Sequence, residues 1–211
     1  MRKMLMPVAA LAVLAVAFSV ALADHHEKDK DKKAEGAAAA SAKIGEAAPA
    51  FTLHDINGKS HSLADYAGKI VVLEWINPEC PFVQRHYNLD TMTNLAAKNK
   101  DVVWLAIATG GTADTENLKT FAQKESISYP ILLDPEGTTG KAYGAKKTPH
   151  MYIVNTDGKL AYMGGIDNKP TADAKDIDGA TNYVSKALDE LLAGSQVSEP
   201  QTKSYGCSVK Y

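Results

Sequence analysis

The chain has 211 residues, of which 45% are hydrophobic, 23% charged and 7% aromatic, enough for one domain with a core of its own. Its formal net charge is −2 and falls to about −4 once Arg2 and Lys3 are set aside, a balance that excludes a nucleic-acid binder with a basic face. Only two cysteines are present, which excludes a disulfide-dense scaffold and a Cys-rich zinc site.

Residues 1–23 carry the pattern of an export signal. Arg2 and Lys3 precede an apolar stretch from Leu5 to Ala21, and Ala21-Leu22-Ala23 is a small-x-small cleavage site. Cleavage predicts a periplasmic or extracellular protein; an uncleaved anchor is the other reading. No later apolar run reaches the roughly 18 residues that cross a bilayer, so no membrane insertion is expected after cleavage. Residues 24–43 contain HHEKDKDKKAEGAAAASA, with no aromatic or large aliphatic side chain. Such a run buries too little surface to offset its ordering entropy and reads as a disordered linker. His25-His26 as a metal-capture pair is the sharper alternative.

The folded domain is expected over residues 44–193. Ile44 to Phe51 leads in. Thr52-Leu53-His54 and Ser60-His61-Ser62 flank Asn57-Gly58, a tight-hairpin signal. Ile70 to Ile76 is almost continuously apolar, as a strand covered on both faces must be. Pro81 to Asn99 reads as one helix with Phe82, Leu89, Met92 and Ala96 on its inner face. Val102 to Ala108 is a second buried strand. Thr115 to Glu125 is a helix, Pro130 to Leu133 a strand and Thr138 to Tyr143 a short helix. His150 to Asn155 and Leu160 to Gly164 pair across Asp157-Gly158. Ala180 to Leu192 is a helix with Val184, Leu188, Leu191 and Leu192 as its core stripe, stopped at Gly194. Residues 194–211 read as a polar, mobile C-terminal tail. The βαβ order demands a parallel centre and the late hairpin adds antiparallel strands, so the sheet is mixed and flanked by helices.

Cys80 stands in NPECPFV, between a buried strand and a helix whose first position suits Pro81. A cysteine at that N-cap feels the positive end of the helix dipole and the unpaired N–H groups, both of which favour the thiolate. A dipole contribution of roughly 1–2 kcal/mol lowers the thiol pKa by about one unit and raises the thiolate fraction at pH 7 from about 3% to about 25%. An inert core cysteine is the plainer reading. Glu74 interrupts the apolar strand and is either a buried proton acceptor or a strand-end acid facing water. Thr148-Pro149 is a place where a cis bond is accessible or an ordinary strand start. Arg85, the only arginine after Arg2, lies about 140° around the helix from Cys80 and either supports the thiolate or is a solvated charge. His86 and His150 have no recognisable ligand spacing, so no metal and no cofactor is expected. Cys207 is the remaining thiol. It pairs with Cys80, closing a loop worth up to about 4–5 kcal/mol, or stays free.

The strand IVVLEWI into Cys80, the run YPILLDPEGTTGKAYGAKKTPHMYIV and the closing YGCSVKY resemble the thioredoxin-like superfamily, in its AhpC/TSA (redoxin, peroxiredoxin-like) branch. The resemblance covers about Ile44 to Leu192. It implies an α/β thioredoxin-like fold, with the first hairpin as an N-terminal extension. It places Cys80 at the N-terminal position of the CxxC motif and makes Glu74 the buried acid. Pro149 becomes the cis-proline, and Thr148 the residue whose backbone faces a disulfide substrate. Val83 stands where the second CxxC cysteine belongs, which leaves Cys207 as the internal replacement. Peroxiredoxins carry Thr or Ser three residues before the cysteine, Pro seven before, and an arginine near the cis-proline. Here Asn77 and Leu73 hold the first two positions, and Asn77 and Arg85 are the available substitutes for holding peroxide. The expectation is an exported antioxidant oxidoreductase in which Cys80 attacks a hydroperoxide or a protein disulfide. Cys207 then resolves the product, and an external thiol reduces the pair. The alternative is a non-enzymatic redoxin-fold binder of a metal or partner, with Cys80–Cys207 as a structural disulfide.

Overall fold

The computed structural model describes residues 41–211. The signal, most of the linker and His25-His26 lie outside the described residues. Among the described residues, the chain is already packed at Ala42. Ala42 is buried and its N–H donates to Ala142 O, while Gly45 N–H donates to Leu160 O.

The first hairpin forms as its turn chemistry predicts. β1 (Thr52–Asp55) pairs antiparallel with β2 (Ser60–Ser62), with Leu53 opposite His61. Asp55 Oδ1 accepts from Asn57 N and Lys59 N, and Gly58 takes the positive φ of the turn. β3 (Val71–Trp75) is buried at every position. It lies parallel to β4 (Val103–Thr109), which is parallel to β5 (Ile131–Asp134). β3 also lies antiparallel to β7 (His150–Val154), which pairs with β8 (Leu160–Gly164). The hairpin joins the sheet through β1 and β5, giving the order β2-β1-β5-β4-β3-β7-β8.

Strand alternation divides the apolar residues between two faces. Val72 and Ile76 share one cluster with Cys80, Val83, Tyr87, Met92, Leu118, Val184 and Leu188. Val71, Leu73 and Trp75 pack on the opposite face with Leu105, Ile107, Tyr143 and Tyr152. Each fully buried aliphatic side chain contributes about 1.5–3 kcal/mol, so the two faces together supply the bulk of the favourable burial.

Three expectations need correction. The helix expected over 81–99 is two helices, α1 (Pro81–Asn88) and α2 (Thr91–Lys98). Asp90 between them sits at φ 53, a left-handed conformation that breaks the ladder and that Asp tolerates. The inner face of α1 is also not an apolar stripe: Arg85 and His86 are buried on it beside Val83 and Tyr87, while Phe82 is only half-buried. After α3 (Thr115–Lys124) and α4 (Thr138–Tyr143), the last helix, α5, spans Tyr183–Leu192. It starts at Tyr183 rather than Ala180 because Asn182 caps it by accepting from Ser185 N. Val184 and Leu188 are buried, but Leu192 is 49% exposed, so the core stripe ends before the helix does.

Residues 194–211 do not form a loose tail. Met163 N–H donates to Pro200 O and Thr202 N–H to Met163 O. Tyr205 is buried. β9 (Cys207–Ser208) then pairs antiparallel with β6 (Lys147–Thr148), placing Cys207 opposite Thr148 and Ser208 opposite Lys147.

Candidate active site

The site lies where β3 turns into α1. Asn77 Oδ1 accepts from Glu79 N at 2.9 Å and Asn77 O accepts from Cys80 N at 3.0 Å, an Asx-type turn that delivers Cys80 to the helix start. Cys80 is the N-cap of α1 with extended backbone, Pro81 opens the helix, and Gln84 N–H donates to Cys80 O. The thiol makes no cap bond of its own. Its Sγ instead donates to Thr148 O at 3.0 Å.

Thr148 is the meeting point of the site. Its carbonyl takes the Cys80 thiol, its peptide to Pro149 is cis, and its strand register holds Cys207 opposite. Its buried hydroxyl has no partner in the thiol form and is free to turn toward a Cys80 thiolate. Both cysteines are reduced. Burial pushes the Cys80 thiol up. The Cys207 thiol, the Thr148 hydroxyl and the Cys207 and Val83 N–H groups, which can donate to a Cys80 thiolate, outweigh it and hold Cys80 below its ordinary value. Cys207 is pushed up to about 11, first by burial and then by the Cys80 sulfur beside it, with Lys210 and Lys147 opposing weakly. Of the two thiols, Cys80 is therefore the one that ionises more readily.

Glu74 is fully buried, on the same sheet face as Cys80. Its Oε2 accepts from Trp104 Nε1 at 2.9 Å and from Tyr129 OH at 3.5 Å, and its Oε1 has no partner. Burial raises its pKa to about 7, opposed by the Trp104 N–H and the nearby Tyr87 and Tyr129 hydroxyls. The nearby Tyr87 and Tyr129 hydroxyls lie 2.9 Å apart.

Arg85 turns away from the solvent and toward residues 167–205. It is 2% exposed, its Nη1 donates to Lys169 O and its Nη2 donates to Asp167 Oδ2 at 2.8 Å and to Tyr205 OH at 3.0 Å. His86 Nε2 lies 2.9 Å from both Arg85 Nη2 and Tyr205 OH. Burial and the adjacent Arg85 charge lower His86 to about 3. His150 Nδ1 is taken by Tyr152 OH and Lys146 N, and burial lowers it to about 4. Among the described residues no group of His, Cys, Asp and Glu has the makings of a metal site.

Two participants were not anticipated from the sequence. Asp167 and Tyr205 complete the Arg85 network, with Tyr205 OH donating to Asp167 Oδ1. The signal for Tyr205 was its place two residues before Cys207, in a segment whose two tyrosines argue for anchoring rather than mobility.

Residues 44–163 match the AhpC/TSA family. The chain belongs to that family. Its relatives include the thiol-disulfide oxidoreductase ResA of Geobacillus thermodenitrificans, 29% identical over 124 residues, which are 56% of this chain and 66% of that protein. A Mycobacterium tuberculosis protein provisionally named a peroxiredoxin is 29% identical over 132 residues, 55% of this chain and 80% of its own length. An uncharacterised conserved protein of Geobacillus kaustophilus has a crystal structure that superimposes with a TM-score of 0.69 at 30% identity, covering 80% of this chain and 92% of that one. Family membership and this neighbour agree on the thioredoxin-like α/β fold with its mixed central sheet.

Proposed function

We propose that this protein is a thiol-disulfide oxidoreductase working through one dithiol, with Cys80 as nucleophile and Cys207 as its resolving partner. The observation that carries the reading is the juxtaposition at Thr148. One carbonyl receives the Cys80 thiol, and the same residue pairs in register with Cys207. The name ResA supports the class of chemistry.

The Cys80 thiolate attacks one sulfur of a partner disulfide. That S–S bond breaks, a Cys80–partner disulfide forms, and the partner's second sulfur leaves as a thiolate. The leaving group takes the proton of Cys207, whose sulfur then attacks Cys80 and breaks the mixed disulfide; the partner's first sulfur leaves as a thiolate and takes the proton that Cys80 had earlier released to solvent, completing the dithiol. The partner gains two electrons and the protein loses two. An external thiol reverses the change. Glu74, close to half-ionised at neutral pH, is the buried proton acceptor beneath the site. The leader pattern of residues 1–23 supports a setting outside the cytoplasm, where disulfide-bearing partners abound. Among the described residues no helix is long and apolar enough to cross a membrane.

A peroxide is the second substrate class, supported by the relative named as a peroxiredoxin. The substitutes for its pocket are occupied, however. Asn77 Oδ1 is held by the Glu79 N–H, and both Arg85 terminal nitrogens are held by Asp167, Lys169 and Tyr205. Arg85 is accordingly a positioning residue. The test exposes reduced protein to stoichiometric small aromatic disulfide and, separately, to hydrogen peroxide, and follows mass and free thiol over seconds. Loss of two hydrogens at least tenfold faster with the disulfide is expected. A faster peroxide reaction assigns the peroxidase role instead, and inert thiols in both overturn the reading.

A further inference from the structure

The dithiol has an unusual distribution of access. Cys80, the sulfur that ionises more readily, has 0% exposure, while Cys207 is partly exposed and is held as a thiol. Disulfide exchange needs in-line approach to the attacking sulfur. The reachable sulfur is thus the poor nucleophile, and the good nucleophile is covered.

Residues 205–211 run past the site through Tyr205 and Cys207, and the two ends of this segment are held very differently. At the inner end, Tyr205 is buried and its hydroxyl sits between Arg85 and Asp167, themselves an ion pair with almost no exposure. Its ring also packs on Phe82, with centroids 5.9 Å apart. At the outer end, Tyr211 is 54% exposed. One side-chain hydrogen bond fixes it, Tyr211 OH to Ala145 O at 2.6 Å, with Lys141 Nζ 5.6 Å from the ring centroid. The ring lies on bare glycine backbone. A Cβ at Gly140 would meet it at 2.9 Å and one at Gly137 at 2.7 Å. Between the ends, Val209 N–H donates to Lys146 O and Cys207 pairs with Thr148. The pivot is Gly206, at φ +111, where a Cβ would fall 2.1 Å from Thr148 O.

From this asymmetry we infer that residues 205–211 form a strap over Cys80, with Tyr205 as its fixed anchor, Gly206 as its pivot and Tyr211 as a latch in the Gly137–Gly140 cradle. Latched, the strap positions Cys207 for resolution and occupies the Thr148 edge with its own backbone. Released, it exposes Cys80 and frees that edge for an extended partner segment. The inference rests on the dithiol reading for its purpose, but the latch itself is measurable without any disulfide substrate.

The experiment is alkylation of the reduced full chain by a bulky maleimide, with each cysteine's modification followed by peptide mass. Tyr211→Ala removes the latch, Gly140→Ala spoils its cradle while leaving Tyr211 in place, and Tyr211→Phe keeps the ring without the hydroxyl. Cys80 is expected to react at least tenfold faster in Tyr211→Ala and Gly140→Ala than in wild type, with Tyr211→Phe between them and Cys207 changing little. The Cys80–Cys207 disulfide should also become easier to reduce by glutathione in the two unlatched variants, as Cys207 is held in place less of the time. Cys80 rates equal to wild type in both unlatched variants overturn the latch. If those rates rise but no variant exchanges with disulfides, the latch stands and the oxidoreductase reading falls.

Discussion

Glu74 shows how a single residue ties chemistry to stability. Its carboxyl is fully buried with only one oxygen satisfied, so the charged form is disfavoured and the pKa rises from the usual 4.5 to about 7. The sign of the pH effect follows. Between about pH 4.5 and 7 the folded chain keeps a proton on Glu74 that the unfolded chain has released, so this residue's contribution to stability falls as pH rises through that window. Glu74→Gln removes the titration. Its stability relative to wild type should therefore improve by up to about 3 kcal/mol between pH 4 and pH 8. Denaturant unfolding of both proteins at the two pH values checks this, and an unchanged difference would place the carboxyl in water. The same residue was legible in the sequence as a charge inside an apolar strand. Its partners were not, since Trp104 and Tyr129 reach it only once the sheet and α1 are assembled.

At the scale of elements, α1 is held by a buried ion pair as well as by Val83 and Tyr87 in the core. Arg85 and Asp167, with side-chain exposures of 0% and 2%, join α1 to the connection after β8 and, through Tyr205, to the strap. Removing one member leaves the other charge buried and unpaired, which typically costs about 3–5 kcal/mol. Arg85→Met should lose that much in urea unfolding, and Arg85→Lys should recover only part, because an ammonium cannot span Asp167, Lys169 and Tyr205 as the guanidinium fork does. A loss below about 1 kcal/mol would mean that the pair is solvated. The sequence pattern missed this because periodicity reads apolar positions, and a paired arginine on the inner face carries the signature of a solvated one. It likewise ran α1 and α2 together, since Asp90 breaks the helix by its backbone conformation rather than as a Gly or Pro.

Over the whole molecule, the strand order, the hairpins and the Cys80 turn follow from continuous apolar runs, Asn-Gly and Asp-Gly dipeptides, and Pro81. These are local signals. The course of residues 194–211 is a tertiary fact. Polar composition suggested mobility, yet bare glycines at 137, 140, 164 and 165 give the segment a track whose steps are contacts to Tyr211, Thr202 and Lys203. That track brings the second thiol, 127 positions away in sequence, opposite Thr148, whose carbonyl takes the Cys80 thiol. If Cys80 and Cys207 act as one dithiol with unequal roles, Cys80 meets the partner first. Cys207→Ser and Cys80→Ser proteins, each reduced and mixed with a disulfide-bearing peptide, test it most directly by intact mass. The account predicts a stable mixed disulfide on Cys80 in the Cys207→Ser protein and none at a comparable rate in Cys80→Ser. Equal trapping on either cysteine, or faster trapping on Cys207, would contradict it.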